Sequence, residues 1–142
     1  MTAPDNMMVS GKLASGAVAS VHVAAVPWAG GGGRMVLSGR EGTLVATGNV
    51  SFQRGEMLRV HGAKRRHELS AMARSDCFVW LPPTFPRGDP FNVGQMYGLC
   101  AAAIRTGKKQ QRLPTCDTAV DLHRFLDTIR QSSDTGRELP VV

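Results

Sequence analysis

Four consecutive glycines, Gly30 to Gly33, stand between two strand-like runs, and this placement constrains the fold more than any other feature of the chain. A glycine loop that cradles a dinucleotide phosphate follows a strand and opens a helix, in the pattern G-x-G-x-x-G. Here the segment before the glycines is apolar and strand-like, and Arg34-Met35-Val36-Leu37 after them is strand-like as well. A glycine loop with strands on both sides reads as a hairpin connection. No other glycine cluster offers a phosphate cradle, so no cofactor site is expected in this chain alone.

The rest of the first half is strand-rich. Residues 7–26 read as a hairpin, with Met8, Val9 and Leu13 on one arm and Val18, Val21, Val23 and Val26 on the other. Ser15-Gly16 supplies the turn between them. Arg34 to Ser38 and Thr43 to Thr47 read as two further strands. Gly39-Arg40-Glu41-Gly42 joins them, and glycines at both ends of such a turn permit positive φ where a side chain would clash. Glu56 to Val60 and Phe78 to Leu81 are the next apolar runs expected as strands. The polar, basic stretch 61–76 between them reads as a long turn or excursion. Residues 82–90 hold four prolines and exclude helix or central strand.

Helices are expected late. Asn92 and Gln95 have the spacing of a capping box, with Phe91 and Met96 at staple spacing. Val93, Met96, Tyr97, Cys100 and Ile104 then fall on one apolar face, and Gly107 is the stop. Thr115 or Asp117 caps a second helix. Ala119, Leu122, Phe125, Leu126 and Ile129 form its stripe, and Gly136 ends it. Leu139 to Val142 read as a last strand. Strands first and helices last predict an α+β fold, an open, mostly antiparallel sheet with helices packed on one face, in a single domain spanning residues 1–142.

Charge and cysteines narrow the function classes. The formal charge is +6, but it is scattered. The densest run, Lys64-Arg65-Arg66, has no aromatic interleaving and reads as a solvated loop, so nucleic acid is not expected as a partner. Cys77, Cys100 and Cys116 form no C-x-x-C pair, and an odd count points to reduced thiols and a cytoplasmic setting. No apolar stretch approaches the ~20 residues of a membrane span. No His/Cys/Asp/Glu cluster has metal-ligand spacing, and no G-x-S-x-G elbow is present. Asp121 and His123, two apart on a helix, point to different sides and make no catalytic pair. No catalytic residue is assigned.

Three stretches carry a resemblance. Gly39-Arg40-Glu41-Gly42-Thr43-Leu44 is one. Phe91-Asn92-Val93-Gly94-Gln95-Met96-Tyr97, leading to Ala103-Ile104-Arg105-Thr106-Gly107, is the second. Leu113-Pro114, then Thr118-Ala119-Val120-Asp121-Leu122-His123, with Ile129, Ser132-Ser133 and Gly136, is the third. In order and spacing, across residues 2–142, they resemble the C-terminal domain of the glucose-fructose oxidoreductase / inositol dehydrogenase (Gfo/Idh/MocA) family. The resemblance implies the substrate-side and oligomerisation portion of an oxidoreductase acting on a sugar, polyol or related alcohol. NAD or NADP would be bound by an N-terminal Rossmann half that this chain lacks, and Thr2-Ala3-Pro4-Asp5 reads as mid-domain sequence. The isolated chain is then expected to be inactive.

The resemblance also places the loop and strand before Gly39 near substrate. Trp28 offers a flat apolar face to a sugar ring, and Arg34 a fixed fork for a carboxylate or hydroxyls. His22 is a further candidate on its strand. Two other readings stand beside this one: a non-catalytic module that forms a homo-oligomer through its sheet face, and a small α+β protein with a ligand site of its own.

Overall fold

The computed structural model describes residues 4–25, 32–48, 58–73, 75–86, 88–110 and 112–141. The fold is α+β with open, wholly antiparallel sheets. Among the described residues the strands form two sheets, one of two strands and one of four, and the chain divides into two compact units.

The first unit holds the N-terminal hairpin and the C-terminal helix. Strand β1 (Asn6–Lys12) pairs with β2 (Val18–Ala24), with Val9 opposite Val21 and Met8 opposite His22. The expected hairpin is present. Its turn closes through Leu13 and Ala17, and Gly16 adopts φ 86, which glycine takes without a Cβ clash. Helix α2 (Cys116–Thr135) follows the expected punctuation. The Thr115 hydroxyl accepts from the Thr118 N–H, and the Thr118 hydroxyl accepts from the Thr115 N–H, each at 3.3 Å. Gly136 closes the helix with φ 63. Residues 139–141 are not a strand. Glu138 to Val141 has no ladder partner among the described residues, so short apolar composition alone did not make a strand there.

The second unit spans residues 30–113. Its sheet runs in order from β3 (Gly33–Ser38) through β4 (Gly42–Gly48) and β5 (Arg59–Lys64) to β6 (Ser70–Met72). The β3–β4 hairpin falls where the sequence placed it, but Gly39 and Gly42 do not take positive φ. Gly42 is demanded by proximity instead. A Cβ there would run into the backbone carbonyl of Ala63 on β5.

The stretch 61–76 is not a long turn. β5 continues to Lys64, and β6 returns to pair with it. His61, Gly62 and Ala63 carry no alternating apolar signal, yet they pair with Val45, Leu44 and Thr43. The existing β4 edge supplies the hydrogen bonds that the sequence pattern did not announce. The reversal is made at Arg65, whose φ of 51 is left-handed, with Lys64-Arg65-Arg66 exposed as expected.

Phe78 to Leu81 is not a strand either. Asp76–Phe78 forms one 3₁₀ turn, whose Cys77 N–H is accepted by the Ser75 hydroxyl. Val79 is extended, and among the described residues no strand pairs with Val79 or Trp80. The Gln95 side chain takes the neighbour's place: it accepts from the Trp80 N–H at 2.8 Å and donates to the Phe78 carbonyl at 2.7 Å. Gln95 is therefore not engaged in the expected capping box.

Helix α1 (Asp89–Thr106) starts three residues before Asn92. Gly88, at φ 101, is its N-cap, and Pro90 sits in the first turn, where no intrahelical N–H is required. Gly107 ends the helix at φ 64, as read from the sequence. The buried face is not the expected one. Tyr97 is 70% exposed and Ile104 77%, while Phe91 and Leu99 are only 3% and 8% exposed. The inward face runs Phe91, Gly94, Gln95, Gly98 and Leu99, at helical spacing. A Cβ on Gly94 would lie 2.7 Å from the Phe85 ring and 2.8 Å from Leu81 Cδ1. Glycine is thus the packing residue of α1, because only it lets segment 80–85 lie against the helix.

Candidate functional site

The four-stranded sheet has two unlike faces, set by the two-residue period of its strands. One face carries Arg34 and Val36 of β3, Thr43, Val45 and Thr47 of β4, and Arg59, His61 and Ala63 of β5. Val45 is its buried residue. The other face carries Met35 and Leu37, Leu44 and Ala46, Val60 and Gly62, and Met72. Met35, Leu37, Leu44 and Met72 on it are all exposed. The side chains of Met72 and Leu44 lie over Gly62, with Met72 Sδ only 2.5 Å from where a Cβ would sit. The result is a largely apolar face, on which Ser70 opposite Gly62 is the polar residue of β6.

The residues proposed from sequence fall as follows. Arg34 is exposed on β3, in the cross-strand row Arg34–Thr47–Arg59. Two strand spacings separate its Cα from that of Arg59, roughly 10 Å. Both cations therefore stand on one side of the sheet with the Thr47 hydroxyl between them. His22 is exposed on β2, opposite Met8, and belongs to the other compact unit. Trp28, with Gly30 and Gly31, lies outside the described residues. His123 sits on α2 with Nδ1 2.8 Å from the Ala119 carbonyl of its own helix. Asp121 is engaged instead by Arg124, at 3.7 Å. No group of His, Cys, Asp and Glu among the described residues could hold a metal ion.

Sequence reasoning missed one constellation. A cleft of about 380 Å³ opens beside the C-terminal half of α1, lined by Trp80, Leu99, Lys109, Gln110 and Arg112. The Arg112 guanidinium lies 4.6 Å from the centre of the Phe78 ring and 5.6 Å from that of Trp80. Its Nη1 donates to the Cys77 carbonyl at 3.3 Å. The signal was present in the sequence as Lys108-Lys109 and Arg112 directly after the Gly107 stop. The aromatic partners lie some thirty residues upstream, and only the fold brings them to the cations.

No helix among the described residues is long and apolar enough to cross a membrane. Cys77, Cys100 and Cys116 are free thiols. No family model, no curated protein and no solved structure matches this chain.

Proposed function

We propose that this chain is a non-catalytic association domain that pairs with a second copy of itself through the apolar face of the β3–β6 sheet. Within that reading it serves as the substrate-side and oligomerisation part of an NAD(P)-dependent oxidoreductase acting on a sugar, polyol or related alcohol, in a reducing, cytoplasmic setting. The observation that carries it is the exposed row of Met35, Leu37, Leu44 and Met72 on one sheet face. Among the described residues only Val45, Phe91 and Leu99 are buried large apolar side chains. A chain that leaves this much apolar surface in water gains by covering it.

The choice of a second copy rests on charge. The chain carries +6, so most of its surface repels a copy of itself. The apolar face bears no charged side chain until Lys64 at the end of β5, opposite Gly42. A two-fold interface places a patch on its own image, so a neutral patch is the one that can meet itself without like-charge contact. The opposite face, with Arg34, Thr47 and Arg59, keeps its cations and a hydroxyl available for an oxygen-rich substrate. Hydride transfer needs a cofactor to carry the hydride, and this chain's residues supply positioning only.

Sedimentation of the full chain across a concentration series tests this reading. A concentration-dependent dimer is expected, with Leu44→Lys and Leu37→Lys each giving a monomer of unchanged circular dichroism. A chain that stays monomeric throughout overturns the association. Oxidation of NADH or NADPH by the chain alone would overturn its non-catalytic assignment.

A further inference from the structure

The cleft beside the C-terminal half of α1 is independent of the sheet face and of the association reading. Its cations are arranged for a ligand. Lys109 and Arg112 both line it, and neither has a carboxylate within ion-pair distance among the described residues, where the ion pairs are those of α2. Two neighbouring cations repel each other, and the carbonyl end of α1 offsets only part of that repulsion. A group with two negative charges satisfies both cations at once.

Arg112 is also held in place before any ligand arrives. The Phe78 and Trp80 rings flank its guanidinium, and the Cys77 carbonyl takes one Nη1 proton. The remaining N–H donors of a planar fork then point in fixed directions, which suits a phosphate or carboxylate. The carbonyl at Cys77 is itself fixed, since Ser75 caps the 3₁₀ turn and Gln95 clasps the residues on both sides of Val79. Trp80 and Leu99 add apolar surface to a lining that is otherwise polar. Trp80 is 38% exposed, and Leu99, also in the lining, is buried. Gln110 adds an amide that can both donate and accept. The volume of about 380 Å³ lies near the lower end of small-molecule sites.

We propose that this cleft binds a phosphate monoester carried on a flat ring, the chemistry of a mononucleotide, with the phosphate on Lys109 and Arg112 and the ring against Trp80 and Leu99. Adenosine monophosphate is the probe. In a Trp28→Phe chain Trp80 is the sole tryptophan and reports on the site directly. Saturable quenching by adenosine monophosphate is expected, with adenosine and inorganic phosphate each weaker by about tenfold or more, because each keeps half of the contacts. Lys109→Gln and Arg112→Gln should each weaken the nucleotide by about tenfold. Affinity should fall as pH drops below ~6, where a phosphate monoester takes up its second proton and loses one charge.

Arg112 braces the 76–80 segment, so Arg112→Gln is judged together with its circular dichroism. Lys109 is exposed and makes no such contact, so Lys109→Gln decides the case if the arginine variant unfolds. No saturable quenching, or quenching that Lys109→Gln leaves unaltered, overturns the proposal. A twelve-residue oligodeoxyadenylate binding tenfold or more tighter than the mononucleotide would also overturn it, by making a nucleic-acid strand the occupant.

Discussion

The two helices reach helicity by opposite routes. α2 is defined by its ends: Thr115 and Thr118 close a reciprocal cap at one terminus and Gly136 turns the chain at the other, yet no residue of α2 is buried. Ion pairs between Asp121 and Arg124 and between Asp127 and Arg130 decorate its exposed side, each worth about 0.2–0.5 kcal/mol at most. α1 is defined by its middle. Its N-cap Gly88 makes no side-chain cap hydrogen bond, and what fixes the helix is Phe91 and Leu99 in the interior, the Gly94 contact with Phe85 and Leu81, and the Gln95 clasp on the 78–80 backbone. Local capping sets where a helix stops, while tertiary contact sets which side of it faces inward.

Substitutions can break each side of this contrast. The largest effect is expected at Gly94, where any side chain must displace a rigid ring and a leucine tip together. Gly94→Leu should destabilise the second unit by about 3 kcal/mol, seen as a lower denaturant midpoint, despite leucine's better helix propensity. An unchanged midpoint would mean that α1 does not pack through its glycine face. Next is Gln95→Ala. It removes two hydrogen bonds and should cost roughly 1–3 kcal/mol, with faster amide exchange at Trp80. Retained protection at Trp80 would show that something other than Gln95 holds that segment. Smallest is Thr115→Ala, expected to cost about 1 kcal/mol, with exchange accelerating in the first turn of α2 and not in α1. Loss of protection in both helices would show that the two routes are coupled.

The candidate sites show the same division. Arg34 was legible as an exposed cation on a strand because β3 announces itself by composition. Its partners in the row, Thr47 and Arg59, also lie on runs that read as strands, but only register brings the three side by side. The cleft was illegible for a sharper reason. Trp80 and Arg112 lie 32 positions apart, and their meeting depends on Gln95 holding a segment that no strand pairs with among the described residues.

By itself the sequence determined the α+β class, the hairpins at Ser15-Gly16 and at Gly39 to Gly42, and three of the four helix ends, whereas β2 and β3, the strands on either side of Gly30 to Gly33, belong to different sheets and not to the hairpin read there. Those features depend on contacts within a few residues: glycine's access to positive φ, a threonine hydroxyl reaching its own first turn, alternation along a strand. The tertiary structure decided the extent of β5 and β6, the start of α1 and its buried face. It also decided the fate of Phe78 to Leu81 and the assembly of the cleft. In each of these the deciding partner is distant in sequence, whether the open edge of β4, the Phe85 ring against Gly94 or the Gln95 amide across α1. A chain with apolar residues on both sides of a helix does not specify from its own periodicity which side will be covered.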